Sequence, residues 1–157
     1  MSNRDIVPFE TTLRVRDHCL CLHAQRAARA LARRFDAAFR PLGLTNWQFS
    51  LLMSLNRPRA PSISDVAALL GMDRTTLTAN LKPLARRGLV EIKIDPQDRR
   101  GRRLMLTNAG RRLLSAAVPI WERTHEEVER PLSRTAARSV CAGLRALSDA
   151  GATQDPA

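Results

Sequence analysis

The amino-acid sequence predicts a mainly α-helical protein with one small β-hairpin. Apolar residues recur every three or four positions over most of the chain, which is the period of an amphipathic helix. Between Leu89 and Thr107 two short stretches alternate every second residue instead, which is the period of a strand. The 157 residues, 44% hydrophobic and 26% charged, are enough for one domain with a buried core.

The first long element is predicted to be one amphipathic helix from about Thr12 to Arg40, ended by Pro41. The stretch contains no internal glycine or proline, and its apolar residues lie three and four positions apart. Such a helix would be about 40 Å long, which is longer than the core of a small domain. We therefore expect it to pack against a second copy of the chain.

Two short helices are predicted next. Thr45 is a favourable N-cap, and Gln48 three residues later completes a capping box, so a short buried helix begins here. A second helix follows Ser62 and Ser64 and ends at Gly71, because glycine readily adopts the left-handed conformation after a helix.

Asp73 is predicted to cap a third helix, which ends at Gly88 and places leucines at 77, 81 and 84 on one side. Two short helices joined around a glycine are typical of a helix-turn-helix motif, whose second helix enters the major groove of DNA. The side chains away from the leucines are short, polar or basic, and we expect them to contact DNA: Arg74, Thr75, Thr76, Thr78, Asn80 and Lys82. For Thr76 and Thr78, hydrogen bonds within the helix are the alternative. Pro83 predicts a bend or a weakened last turn.

The predicted hairpin has a basic tip, formed by arginines at 99, 100, 102 and 103. Residues 71–112 contain eleven basic and four acidic side chains, so most of the net charge of +11 is concentrated there. Neutralising a nucleic acid with such a surface releases counterions, and arginine is attracted to the narrow minor groove. The hairpin is therefore interpreted as the wing of a winged helix-turn-helix.

Thr107 is predicted to cap a further helix that Pro119 interrupts, and a last amphipathic helix carries Val140, Leu144 and Leu147. The apolar residues of the first of these helices, added to those of the long N-terminal helix, exceed what a monomer of this size needs: Leu113, Leu114, Ala117, Ile120, Trp121 and Val128. This surplus predicts a helical dimer.

The predicted organisation has five parts. They are a flexible N-terminus (1–11), a dimerisation helix (12–44), a winged helix-turn-helix DNA-binding domain (45–112), C-terminal dimerisation helices (113–148) and a flexible tail (149–157).

Other classes of protein are disfavoured by composition. Aromatic residues make up only 4% of the chain and tyrosine is absent, which argues against a stacking platform for single strands. No apolar run is long enough for a membrane helix, and three cysteines are too few for a disulfide framework, so we expect a soluble, cytoplasmic protein. Sequence signatures of enzymes are missing, and we predict no catalysis, cofactor or metal.

Three stretches carry a resemblance to a known family: LTNWQFSLLMSL, DVAALLGMDRTTLTANLKPLARRGLV and DPQDRRGRRLMLTNAGRRLL. Over roughly Leu20 to Pro131 the chain resembles the MarR (multiple antibiotic resistance regulator) family of bacterial winged-helix transcription regulators. The resemblance implies a homodimer on a pseudo-palindromic operator, with half-sites about 34 Å apart. It also implies that Arg99, Arg100 and Arg102 of the wing reach DNA and that Asp98 braces an arginine.

The resemblance further implies a repressor that a small molecule releases from DNA, with a pocket between the dimer helices and the winged domain. Five residues are candidates for its lining, with plain core packing as the alternative: Leu20, Ala24, Trp47, Phe49 and Leu52.

Cys21 resembles, by its distance from Thr45, the reactive cysteine of the hydroperoxide-sensing branch of this family, although the tyrosines that activate that thiol are absent here. A thiol-based redox sensor is therefore one alternative function. Zinc binding by His18, Cys19, Cys21 and His23 is disfavoured, because these side chains do not converge on one helix face. A ligand-binding or protein-binding dimer without specific DNA recognition is the other alternative.

Overall fold

The computed structural model describes residues 6–152, and the side chains of residues 6–149. The elements in chain order are helices α1 (Phe9–His18), α2 (Leu20–Phe39), a 3₁₀ turn (Arg40–Leu42), α3 (Asn46–Ser54), α4 (Ile63–Leu70) and α5 (Arg74–Arg86), strands β1 (Val90–Ile94) and β2 (Arg102–Leu106), and helices α6 (Asn108–Glu129) and α7 (Arg134–Ala152). This order confirms the predicted mainly α fold with one antiparallel hairpin.

The predicted N-terminal helix is divided in two. Cys19 has an extended backbone and caps α2, with its Sγ 3.4 Å from the backbone nitrogen of Leu22. Cys19 still donates a backbone hydrogen bond to Val15, so α1 ends and α2 begins without a loop. The prediction of one continuous helix was wrong because the break uses a cysteine cap rather than a glycine or proline.

The ends of the chain are more helical than predicted. Helix α1 begins at Phe9, inside the segment 1–11 predicted to be flexible, and α7 continues to Ala152, inside the predicted tail. Residues 1–5 and 153–157 lie outside the described residues.

The core is formed where α2, α3 and the hairpin meet α6, and α5 packs against the hairpin on its other side. Phe39, Leu51, Leu52 and Leu104 are fully buried there. Phe39 stacks on Phe49, with ring centroids 4.7 Å apart.

The apolar residues of α6 belong to this core. The side chains counted above as surplus are all buried in the core or packed against it: Leu113, Leu114, Ala117, Ile120, Trp121 and Val128. The chain itself buries two of these residues and partly buries the other four, so they are not an unpartnered surplus.

Both helices that contain a proline remain continuous. Helix α5 includes Pro83 and α6 includes Pro119, so the predicted interruption at Pro119 is not observed. A proline removes only one backbone hydrogen bond, and packing of the neighbouring residues into the core supports the helix across it.

Helix α7 has an apolar face that the described chain leaves exposed. Val140, Leu144 and Leu147 are 49%, 46% and 49% exposed, and they lie on one side of the helix. Phe9 and Val15 of α1 are 69% and 50% exposed. None of the helices in the described range is long and apolar enough to cross a membrane.

Candidate nucleic-acid interface

Helices α4 and α5 form the predicted helix-turn-helix. The turn contains Gly71, whose φ of 64° is in the left-handed region that favours glycine. Asp73 caps α5, and its carboxylate accepts hydrogen bonds from the backbone N–H and the hydroxyl of Thr76, 2.7 and 2.6 Å long. These bonds, that of the hydroxyl first, lower the pKa of Asp73.

The two sides of α5 differ sharply in exposure. Leu77, Leu81 and Leu84 are fully buried and fix the helix against the core. The predicted contact residues lie on the other sides of the helix; Asn80 is half-buried, and five are exposed, namely Arg74, Thr75, Thr76, Thr78 and Lys82. The leucine stripe therefore determines which surface of α5 faces the solvent.

The two threonine hydroxyls are engaged within α5. That of Thr76 donates to Asp73, and that of Thr78 donates to the carbonyl of Arg74 over 2.7 Å. These are the intrahelical bonds that were the alternative for both residues. Because a hydroxyl also has acceptor lone pairs, each can still accept a hydrogen bond from a ligand.

The wing is a regular hairpin with an irregular, basic tip. Val90 pairs with Leu106 and Ile94 with Arg102, so residues 95–101 form the loop. Arg99 and Arg100 are exposed in this loop, and Arg102 at its end is exposed as well. The guanidinium of Arg102 curls back and donates to the carbonyls of Arg99 and Gly101, over 3.2 and 3.0 Å.

The bracing carboxylate of the wing is Asp95. Its Oδ2 lies 2.7 Å from Nε of Arg103, and its Oδ1 accepts the backbone N–H of Gln97. The hydrogen bond from Gln97, followed by the positive charge of Arg103, lowers the pKa of Asp95.

The brace was expected at Asp98, which instead accepts the backbone N–H of Arg100 over 3.0 Å. Asp98 lies in the exposed middle of the loop, whereas Asp95 and Arg103 lie where the loop joins the two strands. The signal that could have identified Asp95 is its position directly after β1, where strand pairing brings it opposite the start of β2.

A largely apolar cleft lies between α3, α4 and α6. Its lining differs from that of the predicted pocket. Its volume is about 540 Å³, and its walls come from α3, α4 and α6: Phe49, Ser50, Met53, Ser54, Asn56, Arg57, Leu69, Leu70 and Trp121.

Of the five predicted pocket residues, only Phe49 lines this cleft. Leu52 is fully buried in the core, and Leu20 is 65% exposed on α2. Ala24 and Trp47 are half-buried, and Trp47 packs against the core. The predicted set mixed different helix faces, which periodicity alone could not separate.

No disulfide joins any two of the three cysteines, at 19, 21 and 141. Cys21 is exposed, and its Sγ lies 3.1 Å from the Nε2 of Gln25. Cys141 in α7 is exposed as well. Within the described part of the chain no three His, Cys, Asp or Glu side chains are grouped to hold a metal ion.

Comparisons with known proteins decide the family. Residues 42–101 match the MarR family model. The structure resembles the M. tuberculosis transcriptional regulator MosR in complex with DNA, at 38% identity and a TM-score of 0.79, over 87% of this chain and 98% of MosR. The chain belongs to the MarR family. It is thus a DNA-binding transcription regulator of the winged-helix type rather than an enzyme, as the sequence predicted.

Two further similar structures are of proteins called CouR, one bound to DNA and one bound to a small molecule. The transcriptional repressor CouR bound to a 23-mer DNA duplex is 28% identical, with a TM-score of 0.77, over 86% of this chain and 95% of CouR. CouR from Rhodococcus jostii RHA1 bound to p-coumaroyl-CoA is 25% identical, with a TM-score of 0.71, over 79% of this chain and 87% of CouR.

Proposed function

We propose that this MarR-family protein is a homodimeric repressor that binds a pseudo-palindromic operator and is released by a small molecule. The observation that carries the DNA-binding part is the polar side of α5, which the buried leucine stripe turns outward beside a wing of exposed arginines. Its place of action would be the cytoplasm, where a bacterial chromosome lies.

The contacts on α5 are proposed from side-chain chemistry. Arg74 and Asn80 suit guanine and adenine edges in the major groove, because each can make two parallel hydrogen bonds to its base. Lys82 suits a phosphate, and the threonines at 75, 76 and 78 suit either a phosphate or a base edge.

The wing would hold the flanking DNA. Arg99 and Arg100 have no side-chain hydrogen bond or ion pair within the described residues, so they can reach a phosphate or the minor groove. Arg102 would have to exchange its bonds to loop carbonyls for bonds to phosphate. Because a phosphate carries a full charge, that exchange is favourable.

The dimer would form through the exposed apolar faces of α1 and α7. We expect a second copy of the chain to cover these faces, because operator half-sites one helical turn apart require two α5 helices on the same side of the duplex. The apolar residues Phe9, Val15, Val140, Leu144 and Leu147 would become buried in that contact.

The effector would occupy the cleft between α3, α4 and α6. One of its walls, α4, also packs against α5, so a bound molecule can favour one position of α5 over another. Only a ligand with different affinities for the two positions would release DNA. The p-coumaroyl-CoA complex of the repressor CouR supports both the repressor role and an effector.

The test begins by selecting a duplex from a random pool with the wild-type protein. Replacing Arg99 and Arg100 by alanine should weaken binding to the selected and to a scrambled duplex alike, and should reduce the salt dependence of log K by about four, since the dimer loses two arginines from each protomer. Asn80→Ala should mainly reduce the preference for the selected duplex, by about 1–3 kcal/mol. Arg123→Ala, on the exposed part of α6, is the control.

Equal affinity of the wild type for selected and scrambled duplexes would support a dimer without specific recognition and overturn the proposal. Unchanged affinity after the wing substitutions would overturn the role of the wing.

A redox function is the second candidate, favoured by the exposed thiol of Cys21 beside Gln25. It predicts that hydroperoxide lowers operator affinity of the wild type but not of Cys21→Ser. An equal response of both proteins would remove Cys21 from the mechanism.

A further inference from the structure

An open, largely apolar recess lies between α4 and α5, on the surface proposed to face DNA. Its volume is about 340 Å³. It is lined by one residue of α4 and five of α5: Ile63, Arg74, Thr75, Thr78, Ala79 and Lys82. Ile63 and Ala79 are not among the predicted DNA contacts, so the recess adds two apolar side chains to a surface otherwise described by its polar groups.

The recess opens on the side of α5 that the helix-turn-helix presents to the major groove. Thr78, Ala79 and Lys82 follow Thr75 by three, four and seven residues, which places all four on one side of the helix. The leucines at 77, 81 and 84 are buried on another side. A base in the groove beside α5 can therefore reach the recess.

Carbon atoms dominate the recess although most of its residues are polar. The hydroxyl of Thr78 donates to the carbonyl of Arg74 over 2.7 Å, so the methyl group is the part of this side chain left for a ligand. Ala79 is exposed and offers only a methyl group. The long side chains of Arg74 and Lys82 contribute their apolar stems while their charged ends stay in water.

Ile63 is held in place beside α5. It is the first residue of α4 and follows Ser62, whose capping box with Asp65 fixes the start of the helix. Ser62 also forms a β-bridge with Arg103 of the wing. The side chain of Ile63 packs against the core and is half-buried. Because its position is fixed before DNA arrives, a contact with Ile63 costs little ordering entropy.

The chemistry of the recess selects one group of the DNA. Base edges in the major groove present hydrogen-bond donors and acceptors, and the 5-methyl group of thymine is the apolar exception. Alanine and the methyl group of threonine are typical contacts of that thymine methyl. A phosphate would instead require charged or hydrogen-bonding groups at the recess itself.

We propose that Ile63, Thr78 and Ala79 receive the 5-methyl group of one thymine in each operator half-site. The inference rests on the proposed binding of α5 in the major groove. It adds the base that is read there and a specificity-determining residue on α4. A base without the methyl group leaves the recess partly exposed to water, so the operator should carry a thymine at a fixed position of each half-site.

The test uses the duplex selected by the wild type from a random pool. Each thymine is replaced in turn by deoxyuridine, in both half-sites together, which removes the methyl group and leaves base pairing unchanged. At one position the wild type should lose about tenfold in affinity, because the recess of each protomer loses one methyl contact. An unchanged affinity at every position overturns the proposal.

The residues are tested by the ratio of affinities for the thymine and deoxyuridine duplexes. Ala79→Gln fills the recess with a polar side chain at an exposed position and should reduce the ratio to about one. Ala68→Gln, at an exposed alanine of α4 outside the recess, is the control and should keep the ratio of about ten. An unchanged ratio in Ala79→Gln, or an equal loss in Ala68→Gln, overturns the assignment.

The part of Ile63 is tested without a change in the protein. In methyl carbon–proton spectra, the δ-methyl signal of Ile63 should differ between the complexes with the thymine and the deoxyuridine duplex. The signal of Ile120 in α6 should be the same in both. Identical Ile63 signals in the two complexes overturn its role.

The failure of this inference can be told from that of the proposed function. A selected duplex with no methyl-sensitive thymine overturns the recess and leaves specific DNA binding in place. A wild type that does not prefer the selected over a scrambled duplex overturns both.

Discussion

Single residues determine how closely the wing and α6 approach each other. A Cβ atom built on Gly110 would overlap the carbonyl oxygen of Leu89, so the start of α6 packs directly on the backbone that leads into β1. Gly110 has a helical backbone that any residue can adopt, so glycine is needed here because it has no side chain and not because of its conformational freedom. Gly110, the last residue of the sequence TNAG, therefore allows α6 to pack closely on the backbone that leads into β1.

Gly110→Ala is expected to destabilise the protein by about 1–3 kcal/mol or more, because the helix must move away from Leu89. For a chain of this size each kcal/mol lowers Tm by about 2–4 °C, which a thermal melt resolves. Ser115→Ala, at an exposed position of the same helix, is the control. Equal melting of Gly110→Ala and the wild type would contradict the close contact.

The ionisation of Asp95 makes the free energy of unfolding depend on pH. Its pKa in the folded protein is lowered by the Gln97 N–H and by Arg103, so its contribution to stability is present above the unfolded pKa of about 4. That contribution is lost as the pH falls through the lowered folded pKa. Asp95→Asn should reduce the urea midpoint at pH 7 and differ less from the wild type at pH 3.

Asp98→Asn is the control for this pair, because Asp98 is exposed and bonds only a backbone N–H. Its urea midpoint should change less than that of Asp95→Asn at pH 7. A larger decrease of the urea midpoint in Asp98→Asn than in Asp95→Asn would show that Asp98 is the bracing residue.

At the scale of elements, each helix of the wing domain begins at a side-chain cap. Thr45 and Ser62 form capping boxes with Gln48 and Asp65. Thr107 does more, because its hydroxyl accepts the N–H of Gly110 and donates to the carbonyl of Gly88. It thus joins the end of α5 to the start of α6, on either side of the hairpin.

Thr107→Ala should therefore cost about 1–2 kcal/mol, through loss of the cap and of the bond to Gly88. Thr107→Ser retains the hydroxyl and should recover most of this stability. Urea unfolding monitored by circular dichroism measures both variants. If serine and alanine destabilise the protein equally, the hydroxyl bonds are not the reason for the threonine.

At the scale of the whole molecule, the described chain covers one of its apolar surfaces and leaves another open. Helix α6 buries its apolar face against α2, α3 and the hairpin, whereas the face of α7 with Leu144 and Leu147 is half exposed. An exposed stripe of this kind is costly in water unless a second surface covers it.

If α7 forms the dimer contact, the double variant Leu144→Arg, Leu147→Arg should be a monomer in sedimentation equilibrium. Its affinity for the operator should fall by about a hundredfold or more. The reason is that buried, unpaired arginines in an apolar contact cost several kcal/mol. Arg138→Ala, on the opposite side of α7, should remain dimeric. A double variant that stays dimeric would place the contact elsewhere.

Patterns carried by neighbouring residues were readable from the sequence. The caps at Thr45, Asp73 and Thr107, the leucine stripe of α5 and the two strands were all predicted, because each depends on residues within one or two turns. The concentration of arginine at the tip of the hairpin is likewise a property of the sequence itself. The helix-turn-helix followed from these local features, and the family followed from the resemblance of three sequence stretches to its known members.

Only the tertiary structure decided which distant residues meet. Asp95 instead of Asp98 braces an arginine, Phe49 but not Leu52 lines the cleft, and the carbonyl of Pro61 accepts the backbone N–H of Leu104 in β2. The break at Cys19 also escaped prediction, because a cysteine cap has no strong local signal. Periodicity assigns a residue to a face of its own element, and the packing of the elements against one another determines what that face contacts.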